Sequence, residues 1–364
     1  MKTAKTSPYR LQYLDWVRGI GAVIMLQGHV FDSFLKPELR EGGPFVLSQF
    51  VGGMPPAIFL FLTGVTLAFM MDSAERKGMA PRERVFTAFR RSGYLFFLAF
   101  AFRLQLWVFG LPAPWTDLLR VDILNCMGFS IAVMSVMALF RTAERVRLCA
   151  ALGLAIAFAA PLISQMDWSL APALLRSYIV PDYRSFGFFP WGAYLAFGLS
   201  AGSAIRLIPH EATERAAQWA ALLGGGLILA CQYLANVPYS IYAKSEFWLN
   251  SPAQVLTKQG TTLLLVALAF LWTRYAAKEG WSWVRQFGTT SLLVYWVHIE
   301  LVYGRGLAFF KNNLTVPQTV AAAVLIVLLM LAISTAKTYR HRVVAGLSGA
   351  GLWSTPRPER VPGD

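Results

Sequence analysis

Ten apolar runs, each of about 17–25 residues, alternate with polar connections along the chain and limit its fold more than any other feature. An α-helix of that length spans the hydrocarbon core of a bilayer, which is roughly 30 Å thick, with allowance for tilt. The composition agrees, because 56% of the residues are hydrophobic and only 14% are charged. This hydrophobic share exceeds what the core of a soluble protein needs. The sequence therefore predicts an all-α polytopic membrane helix bundle with about ten transmembrane helices, at residues 14–34, 46–71, 93–109, 121–140, 148–164, 188–205, 218–234, 255–273, 290–309 and 316–335.

The basic residues follow the alternation of these runs and predict the orientation of the bundle. Of 33 Lys and Arg residues, 22 fall on one set of alternate connections and 10 on the other, with Arg18 inside the first run. By the positive-inside rule, the richer set faces the cytoplasm and both termini are cytoplasmic in a multi-pass protein of the cell (inner or plasma) membrane. The same clustering accounts for the net charge of +14, so no nucleic-acid partner is predicted.

The domain organisation that the sequence predicts is simple. Residues 1–345 form one membrane domain in contact with the lipid bilayer, and residues 346–364, rich in Pro and Gly, form a disordered cytoplasmic tail. Cys126, Cys149 and Cys231 lie inside or at the edges of apolar runs without metal-ligand spacing, so neither a disulfide framework nor a metal site is predicted. The oligomeric state stays open, with a homo-oligomer as one alternative.

The first apolar run carries four polar side chains that need an explanation: Asp15, Arg18, His29 and Asp32. An ionisable side chain in hydrocarbon costs at least about 2.5–3.5 kcal/mol, so such residues usually face a bundle interior or a cavity and mark a site. At about 1.5 Å per residue, His29 lies about 16 Å beyond Arg18, near mid-depth. Asp32 is one turn from His29 on the same face, which predicts an imidazole oriented by a carboxylate, the arrangement of a general base. The alternative is an interhelical hydrogen bond.

The ninth run is the second polar anomaly, with Tyr295, His298, Glu300, Tyr303 and Arg305 in one segment. His298 lies near mid-depth, as His29 does. His298 and Glu300 diverge by about 200° around a helix and cannot form a dyad on it. His298 is therefore a second candidate for acid–base chemistry, with interhelical hydrogen bonding as its rival.

Two further stretches carry weaker signals. Pro55 and Pro56 in the second run predict a broken helix, because proline frees backbone carbonyl groups at membrane depth. The connection that follows, residues 72–92, carries a group of arginines that could hold a phosphorylated cofactor such as CoA, since guanidinium groups bind phosphate well. The alternative is that these charges only orient the protein and contact anionic lipid. The group includes Arg82, Arg84, Arg90 and Arg91.

These residues carry a resemblance to known membrane enzymes. Leu14-Asp15, Arg18-Gly19 and then His29 after ten intervening residues resemble the Arg-to-His signature of the transmembrane acyltransferase superfamily, which includes the acyltransferase-three family. PAIFLFLTG in the second run, FFPWGAYLAFGLSAG in the middle of the chain and FGTTSLLVYWVHIELVYG near its end are similar to bacterial relatives of heparan-alpha-glucosaminide N-acetyltransferase.

The resemblance implies an integral membrane acyltransferase that moves an acyl group, usually acetyl, from cytoplasmic acetyl-CoA to an extracytoplasmic sugar or glycan acceptor. It implies no metal. His29 would act as the base, directly or through an acyl-imidazole, and no histidine lies between Phe31 and Phe50, where the eukaryotic relatives place a catalytic one. The residues expected at the site are His29, Asp32 and His298 for catalysis, Arg18, Arg82, Arg84, Arg90 and Arg91 for acetyl-CoA, and Asp15, Tyr295, Glu300 and Arg305 for the acceptor.

Two other classes of protein compete with this interpretation. Broken helices and polar residues at mid-depth also suit a transporter or permease for a small polar or anionic substrate. Against it, the two halves of the chain show no inverted repeat. A non-catalytic membrane partner or biogenesis factor would leave Arg18 and His29 unexplained.

Overall fold

A computed structural model describes residues 11–237, 240–277 and 280–340, and this part of the chain is helical throughout its regular structure. The predicted tail at 346–364 lies outside the described residues. Nine of the ten predicted apolar runs each coincide with one helix or most of it, and the second run covers parts of two, so the all-α fold is confirmed. The helices are α1 (Gln12–Phe34), α2 (Gly43–Gly52), α3 (Pro55–Arg76), α4 (Pro81–Phe109), α5 (Ile123–Met134), α6 (Thr142–Gln165), α7 (Ala173–Ile179), α8 (Phe188–Leu207), α9 (Thr213–Ala235), α10 (Pro252–Leu271), α11 (Trp283–Thr289), α12 (Ser291–Tyr303) and α13 (Val316–Thr338).

Seven helical segments within the described ranges are long and apolar enough to cross a membrane. Of the ten predicted spans, α1, α8 and α12 are the ones outside this set. Charged side chains dilute α1, and α12 has only 13 residues. The seven segments are Gly43–Arg76, Pro81–Phe109, Trp115–Leu139, Thr142–Gln165, His210–Ala235, Pro252–Ala276 and Val316–Thr338.

The second predicted span is broken, as its paired prolines indicate. The amide of Gly53 donates to the carbonyl of Gln49 and ends α2, and α3 begins two residues later at Pro55. Pro55 and Pro56 occupy the first turn of α3, where a missing N–H costs no helical hydrogen bond. The break therefore sits between two helices rather than inside one.

Close helix packing builds the bundle on both sides of α1. A Cβ on Gly198 of α8 would lie 1.9 Å from the carbonyl oxygen of Phe61 in α3, so only glycine permits this approach. Likewise, a Cβ on Gly288 would lie 1.9 Å from the carbonyl oxygen of Asp15, so the glycine allows α11 to pack closely against α1. One apolar core joins α1 to α12 and α13, and another joins α3 and α5 to α8.

A buried polar network ties four helices together at one end of the bundle. Asp72 accepts a hydrogen bond from Arg206 at 2.6 Å, and Glu75 lies 3.2 Å from the guanidinium of Arg145, a side chain with no exposed surface. Thr142 donates to both carboxylates. The network joins the end of α3 to the start of α6, the end of α8 and, through Arg84, the start of α4. It lies on the side where the charge bias predicts the cytoplasm.

Candidate active site

A cavity of about 1080 Å³ lies against one face of α1 and extends toward both ends of the bundle. Its wall comes from α1, α3, α4 and α12, together with the turn between α11 and α12 and the segment before α5. The α1 residues in this wall follow a helical spacing of seven, four and three positions, which keeps them on one face. They are Arg18, Met25, His29 and Asp32.

Two histidines from distant parts of the chain meet in this wall. Nδ1 of His29 lies 2.8 Å from Nε2 of His298, and the two rings stack with their centroids 5.1 Å apart. Nδ1 of His298 lies 2.7 Å from the carbonyl oxygen of Val294. His298 is fully buried, whereas His29 lines the cavity. The sequence placed both histidines at similar depth, and the structure brings them together.

The carbonyl of Val294 sets the protonation pattern of the neutral pair. Because a carbonyl oxygen only accepts, Nδ1 of His298 carries the hydrogen and its Nε2 is an acceptor. Nδ1 of His29 then donates to that nitrogen, and Nε2 of His29 keeps its lone pair. This tautomer is the one that a general base requires.

The predicted pairing of His29 with Asp32 needs correction. The described hydrogen bond of His29 goes to His298, while Oδ2 of Asp32 accepts from the hydroxyl of Tyr303 at 2.8 Å. The Tyr303 ring also packs edge-on against His29, with the centroids 5.5 Å apart. Asp32 therefore lies in the cavity wall one turn beyond His29 but does not orient its imidazole. A position on the same helical face made the contact available, and the ninth run supplied a better partner.

The end of the cavity beyond His29 carries both signs of charge, and we call it the mixed-charge end. Glu300 lines this half, and its Oε2 is buried without a hydrogen-bond partner among the described residues. Tyr295 lines the cavity one turn of α12 before His298, near the middle of the cavity. Arg305 lines the rim and donates to the carbonyl of Gly110 at 2.9 Å. Further lining residues that the sequence analysis did not single out are Arg103, Asp117, Arg120, Asp122 and Lys311.

The opposite end, which we call the basic end, is lined by Arg18, Arg91 and Lys337. The turn 288–291 lies in the same wall, where α12 begins. Sequence reasoning missed Lys337, although it belongs to the basic cluster that follows the last span. Cations combined with a helix start suit an anionic ligand.

Several predicted binding residues do not reach the cavity. Arg84 is buried and lies 3.5 Å from Glu75 in the polar network, so it is a structural residue rather than a ligand contact. Arg82 and Arg90 are exposed and do not line the cavity. Asp15 is buried beside Arg18, with 3.2 Å between the carboxylate and guanidinium, and is absent from the cavity wall. On α4, Arg82 and Arg90 are rotated away from the face that carries Arg91. Arg84 lies on the face of Arg91 but two turns, about 10 Å, nearer the start of the helix, where Glu75 is its partner.

The comparison with known families bears on the first two thirds of the chain. The sequence profile described as heparan-alpha-glucosaminide N-acetyltransferase, catalytic, matches residues 10–242. The chain belongs to this family. Membership confirms the predicted resemblance and makes the protein a membrane acetyltransferase by family, while the link to the acyltransferase-three family stays a prediction. No curated protein matches the chain.

The matched range contains part of the candidate site and excludes the rest. His29 lies within it, on α1, and His298 lies on α12 beyond residue 242. The two ranges nevertheless form one bundle, because the core that holds α1 also contains buried residues of α12 and α13. Within the described ranges, no cluster of three or more His, Cys, Asp and Glu side chains is arranged for a metal ion.

Proposed function

We propose that this protein transfers an acetyl group from cytoplasmic acetyl-CoA to a sugar or glycan on the other side of the cell membrane. The observation that supports it best is the cavity itself. It joins a basic end to a mixed-charge end, and His29 lines it between them. A donor and an acceptor that enter from opposite ends would meet at one imidazole, in a family of acetyltransferases.

The basic end is the proposed binding site for the donor. Arg18, Arg91 and Lys337 supply three cations, and phosphates are the anionic groups of CoA. The helical rise places His29 about 16 Å from Arg18 along α1. A thin pantetheine arm lying along this face of α1 would carry the thioester carbonyl from the cations toward the imidazole.

His29 is the proposed general base. Its Nε2 takes the proton from the acceptor hydroxyl or amine as that oxygen or nitrogen bonds to the thioester carbonyl carbon. The C–S bond then breaks, the acetylated acceptor leaves, and the CoA thiolate takes up the proton to form a thiol. Holding both substrates at one point supplies much of the rate enhancement. The alternative route forms an acetyl-imidazole on the same nitrogen before the acceptor attacks.

The mixed-charge end is the proposed acceptor site. Sugar hydroxyl groups both donate and accept hydrogen bonds, and this end offers carboxylates as well as cations. Asp32, Glu300 and Tyr303 line this end, Tyr303 packs edge-on against His29, and Arg305 lies at the rim. Tyr295 completes the wall and packs edge-on against His298 with the ring centroids 5.9 Å apart.

The test is acetyl transfer by the purified full-length protein in sealed liposomes. Labelled acetyl-CoA is supplied on the side of the basic connections and a mixture of glycan acceptors on the other side. We expect label in the glycan for the wild type and for His210→Gln, whose exposed histidine does not line the cavity. His29→Gln should lose at least about 100-fold, the contribution of a general base. Equal transfer by His29→Gln contradicts the proposal.

A transporter is the second candidate, and the extension of the cavity toward both ends favours it. The same liposomes separate the two functions. A transporter moves unmodified substrate when acetyl-CoA is absent, whereas the proposed enzyme delivers only acetylated acceptor and needs the donor.

A further inference from the structure

A second, smaller pocket lies between α8 and α10 and shares no lining residue with the active-site cavity. It holds about 10 Å³, enough for one water-sized group, and opens to the surface beside Trp248, a side chain that is 58% exposed. Lys258 is the one charged residue among the described residues of its lining. The pocket therefore has room for one atom of a ligand whose remainder stays outside.

Lys258 is a cation without a counter-ion. It makes no ion pair or hydrogen bond with another described residue, and its Nζ lies 5.3 Å from the centroid of the Trp191 ring. The residue occupies the second turn of α10, a helix long and apolar enough to cross the membrane. An ammonium group at such a depth requires compensation, and a ring face supplies only part of it.

The other polar groups of the pocket are also unused. The hydroxyls of Tyr194 and Ser251 and the amide of Gln254 make no hydrogen bond with another described residue. Ser251 and Gln254 flank the start of α10, whose first-turn N–H groups carry partial positive charge. The pocket thus combines a lysine, a helix start and neutral donors, and a carboxylate is absent from its lining. A cation and hydrogen-bond donors without a carboxylate suit an oxyanion.

The position of the pocket indicates the source of that anion. Lys258 lies six residues after Pro252, about 9 Å along α10 from its start, so the pocket lies near one end of a helix long enough to cross the membrane, where lipid headgroups are expected. Leu249, Val255 and Trp248 add an apolar wall beside the cation. We propose that the pocket binds a phosphate oxygen of an anionic membrane lipid, in the leaflet at the mixed-charge end. The acyl chains of this lipid would lie along the lipid-facing surface of the bundle beside α8 and α10.

The proposal is tested on the full-length protein, delipidated in detergent and then supplied with phosphatidylglycerol, phosphatidylcholine or inorganic phosphate. Phosphatidylglycerol should raise the Tm of the wild type by about 3–5 °C more than phosphatidylcholine does, and inorganic phosphate should not. Lys258→Met should lose this difference. Lys244→Met, which removes an exposed lysine from the connection before α10, should keep it.

Bound lipid is counted independently by native mass spectrometry. The wild type should retain one phosphatidylglycerol that Lys258→Met and Trp248→Ala release, and this count holds even if Lys258→Met alters the fold, because Trp248 is exposed. Retention of the lipid by Lys258→Met or by Trp248→Ala, or of the Tm difference by Lys258→Met, overturns the proposal. An equal Tm shift with inorganic phosphate overturns the lipid as its source. Neither readout depends on acetyl transfer.

Discussion

Removing the acceptor behind His29 should damage catalysis without removing the base itself. In His298→Leu the Nδ1–H of His29 loses its 2.8 Å partner inside the protein. A buried donor without a partner costs about 1–3 kcal/mol, which the ring avoids by turning or by moving its hydrogen to Nε2. Either change removes the lone pair from the cavity, and about 1.36 kcal/mol corresponds to a tenfold rate. We therefore expect kcat to fall by about 5- to 150-fold.

A conservative variant separates this effect from simple damage to the core. In His298→Gln the side-chain carbonyl reaches toward the position of Nε2 and can accept from His29, so we expect it to restore at least about tenfold of the lost kcat. The KM for acetyl-CoA should not change in either variant, because the basic end lies about 16 Å away along α1. Steady-state transfer of labelled acetyl at saturating donor and acceptor gives kcat, and Tm in detergent reports folding. Equal rates in His298→Leu and the wild type, or equal losses in both variants at matched Tm, would refute the tautomer argument.

Three further predictions follow from the same geometry. Arg91→Ala should raise the KM for acetyl-CoA by about 10- to 100-fold through loss of a charged hydrogen bond, while Arg90→Ala on the exposed face should leave it unchanged. Gly198→Ala places a Cβ 1.9 Å from a backbone oxygen of α3 and should lower stability by about 1–3 kcal/mol in denaturant unfolding; Gly225→Ala, with open space at its Cβ, should not. Tyr303→Phe removes the hydroxyl that donates to Asp32 and should lower kcat/KM for the acceptor about tenfold in the same transfer assay. An unchanged kcat/KM would remove Tyr303 from the proposed site.

The positions of the spans, and the break in the second span, could be predicted from the sequence because both depend on local composition. Hydrophobic length locates the membrane segments, and paired prolines accept a helix start more readily than a helix interior. Two of the three spans outside the apolar set also follow from their sequences: α1 carries charged residues, and α12 has only 13 residues. Helices inside the bundle contact other helices rather than lipid, so they need fewer apolar residues. Many residues along α1 and α8 are buried in this way.

The partner of His29 could not be read from the sequence. Counting residues along the helices places His29 and His298 at a similar depth in the membrane. Whether their rings meet depends on how α12 is rotated about its axis, which the count does not give. Asp32 satisfied the local spacing rule, yet a residue from another helix, 269 positions away, took the hydrogen bond. Local spacing gives the contacts that are available, and tertiary packing selects among them.

The basic cluster after α3 shows the same limit for charge. Clustered arginines indicate a side of the membrane, but each arginine is directed by its place on α4. Arg91 lines the cavity, and Arg84, seven residues earlier, reaches the carboxylate of Glu75 instead. Lys337 arrives from the far end of the chain, so no local pattern could have joined it to Arg18.

The most direct test of the proposed mechanism is a cryo-EM structure with a non-hydrolysable acetyl-CoA analogue. We expect its phosphates beside Arg18, Arg91 and Lys337, and its acyl carbon about 3–4 Å from Nε2 of His29, the separation of reacting atoms. An analogue bound outside this cavity, or one whose acyl group lies far from Nε2 of His29, would contradict the account.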